Sequence, residues 1–228
     1  MQYEVRHTCS RGVISRVEIS CYSALLAVAA FWLAACPFSV WVGKWLLGKD
    51  IRRYGDGNPG AFNVFRAGGW KAGVLALVLD IGKGVPFVAL AHYYFELPMV
   101  VVMVVGLCAI LGHAYTPLLR FQGGKALAVI AGVLLALPQH EMVISVVVFM
   151  LLSFLFIEPD AWRVMFGVTA SLIYLAITKG ISLEPLFMIS VIAILVVKYF
   201  DELKTTPRLG GKLGGWFRSR RTADLGRH

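Results

Sequence analysis

Long apolar blocks alternate with short polar stretches along this chain of 228 residues. Blocks of about 17–25 apolar residues can cross a bilayer as helices, whereas a surface helix of a soluble domain is apolar on one face only. We therefore predict an all-α membrane protein, a bundle of about seven transmembrane helices. The predicted spans cover residues 23–45, 73–95, 97–114, 125–137, 141–157, 163–178 and 183–200.

The composition supports a membrane protein with a simple division of the chain. Hydrophobic residues make up 58% of the chain and charged residues 15%, more apolar surface than a soluble domain hides well. We predict an amino-terminal arm over residues 1–22, a seven-helix transmembrane domain over residues 23–200 and a basic tail over residues 201–228. The four cysteines lack metal-ligand spacing, so we expect reduced thiols and no metal site.

Basic residues cluster in alternate loops, and the formal net charge is +9. With seven spans, the loops that follow spans one, three and five face the same side as the tail, and these segments carry most of the lysines and arginines. Cytoplasmic segments of membrane proteins are enriched in Lys and Arg. We therefore expect the amino terminus outside and the carboxyl terminus in the cytoplasm. We expect the positive charge to interact with anionic membrane lipids and not with nucleic acid.

The loop after the first span reads GDGNPGAFNVFR over residues 55–66 and contains the spacing G-x-G-x-x-G. A dinucleotide site needs this spacing between a strand and a helix, whereas here a transmembrane segment precedes it and Pro59 interrupts it. Glycine N–H groups in a turn, with amide and guanidinium donors, can instead hold a phosphate. An ordinary Gly-Asn turn is the alternative. The candidate phosphate ligands are Gly57, Asn58, Gly60, Asn63 and Arg66.

A second cluster of donors, GHAYTPLLRFQGGK, occupies residues 112–125 and leads into the fourth span. Free N–H groups of Gly123 and Gly124 at a helix start, together with the charge of Lys125, would attract an anion. The spacing differs from a nucleotide-binding P-loop. A lysine that reaches the interface from a helix end is the alternative for Lys125. His113 is either a structural donor or a general base.

Two ionisable residues, Asp80 and Lys83, fall inside the second predicted span. Residues three apart lie on one helix face, so the two charges can neutralise each other. Because such groups are costly at membrane depth, we predict a structural pair that faces the bundle interior and borders the site. A transporter would use the same pair, and this alternative stays open.

The motifs together resemble the acyl-phosphate-dependent glycerol-3-phosphate acyltransferases of bacteria, the PlsY type. GDGNPGAFNVFR is similar to that family's GSGNPGATNVLR, and GHAYTPLLRFQGGKALAV is similar to GHxFPxxLxFxGGKGVAT. The segment LVLDIGKG matches LxLDxxKG, and the likeness covers residues 37–138 or so. The resemblance implies seven spans in a bacterial inner (plasma) membrane, with the motif loops facing the cytoplasm.

The resemblance further implies that a fatty acyl group passes from acyl phosphate to glycerol 3-phosphate. The products would be 1-acylglycerol 3-phosphate and phosphate, formed without metal, cofactor or coenzyme A. Lys125 and its two glycines would hold the acyl phosphate, and Asn58, Asn63 and Arg66 would shape the neighbouring pocket. The hydroxyl proton would leave through the substrate's own phosphate or through His113. The sequence carries no prediction of oligomeric state.

Several positions depart from the family pattern and keep other functions open. Asp56 replaces a serine, Ala126 replaces a glycine, and Phe166 and Thr169 stand at serine positions of a third motif. The segment Lys198-Tyr199-Phe200-Asp201 replaces a closing His-Arg-x-Asn. The alternatives are therefore a different acceptor, a silent relative that binds a lipid phosphate, and the transporter.

Overall fold

The computed structural model describes the backbone of residues 16–209 and the side chains of residues 19–207. It is a helical bundle, as predicted, with one addition: a two-stranded antiparallel sheet of β1 (Ile157–Glu158) and β2 (Arg208–Leu209). The helices are α1 Arg16–Ala35, α2 Phe38–Leu47, α3 Ala61–Arg66, α4 Trp70–Gly82, α5 Pro86–Ala89, α6 Met99–Ala114, α7 Leu127–Ala136, α8 His140–Phe156, α9 Asp160–Lys179, α10 Leu183–Lys198 and α11 Phe200–Leu203.

The part of the chain before residue 16 and after residue 209, which holds most of the predicted arm and basic tail, lies outside the described residues.

The first predicted span, residues 23–45, is wrong as a single helix, because the helix breaks between α1 and α2. Pro37 stands at the break, where its ring removes a backbone donor and restricts the residue before it. The break leaves the carbonyl of Cys36 without its helical partner, and Lys83 Nζ donates to that oxygen at 2.9 Å. A side chain from the second span thus stabilises the interruption in the first.

The second predicted span, residues 73–95, is also interrupted. Helix α4 ends at Gly82, and Pro86 begins the short helix α5, which continues into one π-helical stretch over Leu90–Tyr94. Proline is well tolerated in the first turn of a helix, where no N–H partner is needed. Lys83 therefore lies at a discontinuity, where its side chain can reach the broken first span.

The remaining predicted spans agree with α6, α8, α9 and α10 to within about three residues at each end. The fourth differs at its start, since α7 begins at Leu127 and Ala126 has a left-handed backbone with φ 62°. Lys125 consequently precedes the helix and belongs to the loop. With 10 residues, α7 rises only about 15 Å, half the thickness of a hydrocarbon core.

Four helical segments of the described chain are long and apolar enough, by length and composition, to cross a membrane. Helices α7 and α8 are apolar but shorter. The prediction of several membrane-crossing helices is therefore supported, while the number seven stays a prediction. The four segments are Ile19–Leu47, Trp70–Tyr94, Met99–Leu119 and Asp160–Lys179.

Close helix crossings hold the bundle together around one large buried core. Helix α1 packs along α6, and Gly112 of α6 lies against the carbonyl of Phe31. Helix α7 is enclosed by α4, α5, α6 and α8. At its crossing with α4, a side chain at Gly132 would meet the carbonyl of Ile81. These glycines let the backbones approach closely, which fixes the position of the loop that precedes α7.

Candidate functional site

A cleft of about 630 Å³ opens at one end of the bundle, and three separate segments of the chain line it. The first is the glycine loop between α2 and α3, the second is the loop before α7, and the third is the end of α10 with α11. The two donor clusters singled out in the sequence therefore meet in one cleft. The lining residues include Asp50, Arg52, Asp56, Gly57, Asn58, Gln122, Gly123, Lys125, Lys198 and Glu202.

The glycine loop is organised around the carboxylate of Asp56. Its Oδ1 accepts hydrogen bonds from Asn63 Nδ2 at 2.9 Å and from the backbone N–H of Asn58 at 3.2 Å. Gly55 and Gly57 have φ of 58° and 74°, a left-handed conformation that favours glycine. The loop is thus a tight turn around the carboxylate of Asp56, and that carboxylate already accepts the hydrogen bonds of Asn58 and Asn63.

Asn63 and Arg66, two of the predicted phosphate ligands, lie on α3 beneath this loop. Asn63 is buried, and it also donates to the carbonyl of Asn58 at 2.9 Å, so both of its N–H groups are used within the loop. Arg66 Nη1 donates to Asn63 Oδ1 at 3.2 Å and lies 3.8 Å from Asp56 Oδ1. With half of its side chain exposed, Arg66 keeps guanidinium donors for a ligand. The N–H of Gly60 donates to Asn58 O at 2.9 Å.

Lys125 lies where the three segments meet. Its Nζ contacts Asp56 Oδ2 at 2.6 Å and Glu202 Oε1 at 2.5 Å. The ammonium also stands over the ring of Tyr199, 4.6 Å from the ring centre. The predicted cationic centre of the site is therefore present, and two carboxylates surround it.

The loop before α7 is packed against the end of α6. The N–H of Gly124 donates to the carbonyl of His113 at 3.2 Å, and a side chain at Gly124 would strike the imidazole of His113. His113 is only 7% exposed and is not among the described residues that line the cleft. Lys198 Nζ donates at 2.9 Å to the carbonyls of both Ala114 and Gly123, which fastens the loop to α10.

The electrostatics of the loop follow from these contacts. Partial burial opposes ionisation of Asp56, but the hydrogen bond and charge of Lys125, with the donors of Asn63 and Asn58, outweigh it and lower the pKa of Asp56. At the edge of the cleft, the hydrogen bonds of Arg52 lower the pKa of Asp50 to about 2. Burial raises the pKa of the Tyr199 hydroxyl, so that its ring stays neutral beside Lys125.

Asp80 and Lys83 form the predicted pair. Their charged atoms are 2.8 Å apart, and both side chains are at most 2% exposed. Ser39 Oγ donates to Asp80 at 2.5 Å, and Lys83 reaches the carbonyl of Cys36. These contacts join α4 to the break between α1 and α2, which favours the structural interpretation over transport.

Among the charged residues that line the cleft, sequence reasoning did not single out Asp50, Arg52, Lys198 and Glu202 as site residues. At the sequence level, Lys198 was noted only because it departs from the family pattern, and Glu202 was placed in the predicted tail. The positions expected to replace the third motif, Phe166 and Thr169, are exposed on α9 and are not among the described residues lining the cleft. Charged residues near the end of the last apolar block were the available signal, because that block ends on the same side as both motif loops.

Comparison with known proteins adds a second line of argument to this geometry. The family model for glycerol-3-phosphate acyltransferase matches residues 24–206. The chain is 38% identical over 132 residues to the glycerol-3-phosphate acyltransferase of Lactococcus lactis subsp. lactis (strain IL1403), covering 58% of this chain and 62% of that protein. It is 43% identical over 130 residues to that of Macrococcus caseolyticus (strain JCSC5402), covering 57% and 66%. The aligned part thus spans somewhat less than two thirds of these curated relatives.

Solved structures of a membrane protein share the fold. The chain resembles crystal structures of PlsY (YgiH), an integral membrane glycerol 3-phosphate acyltransferase, in a glycerol 3-phosphate form and a lysophosphatidic acid form. The TM-scores are 0.71 and 0.70, the sequence identities 28% and 27%, and the coverage is 80% of this chain and 90% of that chain. With a family match over most of its length, this multi-pass membrane protein belongs to the glycerol-3-phosphate acyltransferase family.

Proposed function

We propose that the chain transfers a fatty acyl group from acyl phosphate to glycerol 3-phosphate, giving 1-acylglycerol 3-phosphate and inorganic phosphate. The observation that carries this proposal is the meeting of both donor clusters in one cleft, with Lys125 between the glycine loop and the end of α10. Both proposed substrates carry phosphate. Lys125 in the cleft, with the half-exposed guanidinium of Arg66 beside Asp56, provides cationic donors suited to two phosphates lying side by side.

In the proposed reaction, Lys125 and the Gly123–Gly124 loop hold the acyl phosphate, while Arg66 and Asn58 orient glycerol 3-phosphate. The acceptor hydroxyl forms a new C–O bond at the acyl carbonyl, and the bond between the acyl carbon and the phosphate oxygen breaks. Phosphate leaves with that electron pair. Since His113 is buried against Gly124 and is not among the described residues lining the cleft, we assign the hydroxyl proton to a substrate phosphate. Positioning and charge stabilisation then supply most of the rate.

A different acceptor is the second candidate, and the charges in the cleft favour testing it. Asp56 and Glu202 bring two carboxylates into the cleft that must also hold an anionic acceptor. The same acyl transfer to another polyol phosphate would use the same donor site. A silent relative that binds a lipid phosphate would show binding without product.

The proposed function predicts that Lys125→Ala abolishes turnover. Loss of a cation that stabilises developing negative charge reduces kcat by about 100-fold or more. The measurement is formation of lysophosphatidate by isolated membranes supplied with acyl phosphate and labelled glycerol 3-phosphate. Lys71→Ala, the same change at a lysine that lies over Trp70 and not in the cleft, is the matched control.

Thermal unfolding and gel filtration in detergent would establish that Lys125→Ala is still folded. Full activity of the folded variant would contradict the assigned role of Lys125. If the unaltered chain forms no product from glycerol 3-phosphate but acylates another polyol phosphate, the chemistry stands and the acceptor changes. If it forms no product from any acceptor, the proposed enzyme function fails.

The proposed setting is a bacterial plasma membrane with seven crossings, the amino terminus outside and the cleft in the cytoplasm. Two contacts support the proposal that α8, α9 and α10 cross the membrane in alternating directions. At one end of α9, Lys179 pairs with Glu141 at 2.5 Å, and at the other end Trp162 Nε1 donates to the carbonyl of Thr205 at 2.6 Å. The Thr205 end is the cleft end, where most of the basic loops lie, and such loops favour the cytoplasm. Within this scheme the predicted arm lies outside and the predicted tail in the cytoplasm, but with other bounds than the sequence suggested, because α1 begins at Arg16 and α11 extends over Phe200–Leu203.

A further inference from the structure

The ammonium of Lys125 is surrounded by two carboxylates and an aromatic ring. An ammonium offers three N–H donors. Two are directed to Asp56 and Glu202, at 2.6 and 2.5 Å, and the face of the Tyr199 ring covers a third side. A phosphate can therefore reach Lys125 only if one of the two carboxylates withdraws.

The two carboxylates are held very differently. Asp56 also accepts hydrogen bonds from Asn63 and from the N–H of Asn58, and Arg66 lies 3.8 Å away. Among the described residues, Lys125 is the one group that pairs with the carboxylate of Glu202. If Glu202 moves away, it loses one partly exposed ion pair, whereas if Asp56 moves away, the donors of Asn58 and Asn63 lose their acceptor.

The position of Glu202 also allows it to move. Glu202 lies on the four-residue helix α11, beyond the end of α10, and its side chain is 39% exposed. Solvent weakens an ion pair at such a partly exposed site. A phosphate monoester carries about −1.5 to −2 charges, against −1 for a carboxylate, so it competes effectively for the same ammonium.

We propose that Glu202 is an exchangeable counter-ion of Lys125, which leaves when a substrate phosphate binds and returns when inorganic phosphate departs. This inference rests on the proposed function, since it assigns a specificity-determining residue to the same phosphate site. Asp56 stays in place and keeps the glycine loop ordered. Glu202 then sets how tightly the cleft holds any phosphate, and it prevents the product phosphate from blocking the site.

The test is the affinity of the full-length chain, in detergent or nanodiscs, for inorganic phosphate, measured by isothermal titration. Removal of the competing charge in Glu202→Gln should tighten phosphate binding by about twofold to fivefold, the range expected for loss of one weak ion-pair competitor. The matched control is Asp201→Asn, which removes an adjacent exposed carboxylate paired with Lys204 and should leave the affinity unchanged.

Damage to the fold would weaken phosphate binding, so tighter binding separates the proposed role from a structural one. Glu202→Ala provides a second variant with the same expected direction. Unchanged or weaker binding in folded variants of both kinds would overturn the inference, as would equal tightening in Asp201→Asn. Because no acyl donor or acceptor is present, the inference can hold in a chain that lacks transferase activity, and it can fail in an active one.

Discussion

At the scale of the residue, Asp56 controls the local order of the cleft. Its carboxylate receives donors from Asn63, from the backbone of Asn58 and from Lys125. Two effects oppose each other if this charge is removed. Freeing Lys125 gains at most about 1 kcal/mol for phosphate binding, whereas weakening charge-assisted hydrogen bonds in the loop costs about 1.5–3 kcal/mol. The loss of order is the larger effect.

Asp56→Asn should therefore reduce kcat by about tenfold, despite the removal of a negative charge from an anion site. The measurement is kcat and KM for both substrates. A variant with higher kcat than the unaltered chain would show that the charge, and not the order of the loop, limits the reaction.

The pH dependence of the same carboxylate has a defined sign. Because the folded-state pKa of Asp56 is lowered below its ordinary value of 3.8, its contribution is complete above that value and is lost only as pH falls through the lowered pKa. The activity ratio of the unaltered chain to Asp56→Asn should consequently stay constant from about pH 8 to pH 5. A ratio that falls within this interval would contradict the lowered pKa.

At the scale of the element, apolar blocks predicted the existence of the helices but not their interruptions. A proline stands at each interruption: Pro37 lies between α1 and α2, and Pro86 begins α5. Both prolines can be read from the sequence. The sequence could not reveal that Lys83, which follows α4, donates a hydrogen bond to the carbonyl of Cys36, which follows α1. The residues are 47 positions apart, and only packing brings them together.

Close helix crossings provide a prediction at this scale. In Gly132→Ala the new methyl group would meet the carbonyl of Ile81, so α7 and α4 must separate, at a cost of about 1–3 kcal/mol. Gly82→Ala is the matched control on α4, because a side chain there meets nothing within 4 Å. The melting temperature in detergent should fall for Gly132→Ala and stay level or rise slightly for the control. Equal melting temperatures would mean that the crossing is looser than described.

At the scale of the whole molecule, motifs 69 residues apart in sequence come together, as the contact between Asp56 and Lys125 shows. Family likeness predicted that both motifs serve one site. It could not predict that Glu202, from a segment taken for a surface tail, would enter the same cleft. Local pattern identifies which segments are helical, but the pairing of distant charges depends on how those helices pack.

The proposed orientation predicts the labelling of two single-cysteine variants in an otherwise cysteine-free chain. Ile181, between α9 and α10, is fully exposed, and Lys204 is exposed at the end of α11. A membrane-impermeant maleimide should label Ile181→Cys in intact spheroplasts and Lys204→Cys only after permeabilisation. Reversed labelling would invert the orientation, and labelling of both from outside would remove a crossing between them.

The shortness of α7 has a consequence for where the reaction takes place. With only 10 residues, α7 rises about half the thickness of a hydrocarbon core, so in the proposed membrane setting the cleft above it would extend below the headgroups. If the proposed function holds, a water-soluble acceptor would meet the acyl carbon at this depth while the acyl chain of the donor stayed among the lipid tails. Acyl donors of different chain length would then differ only at the far end of the chain.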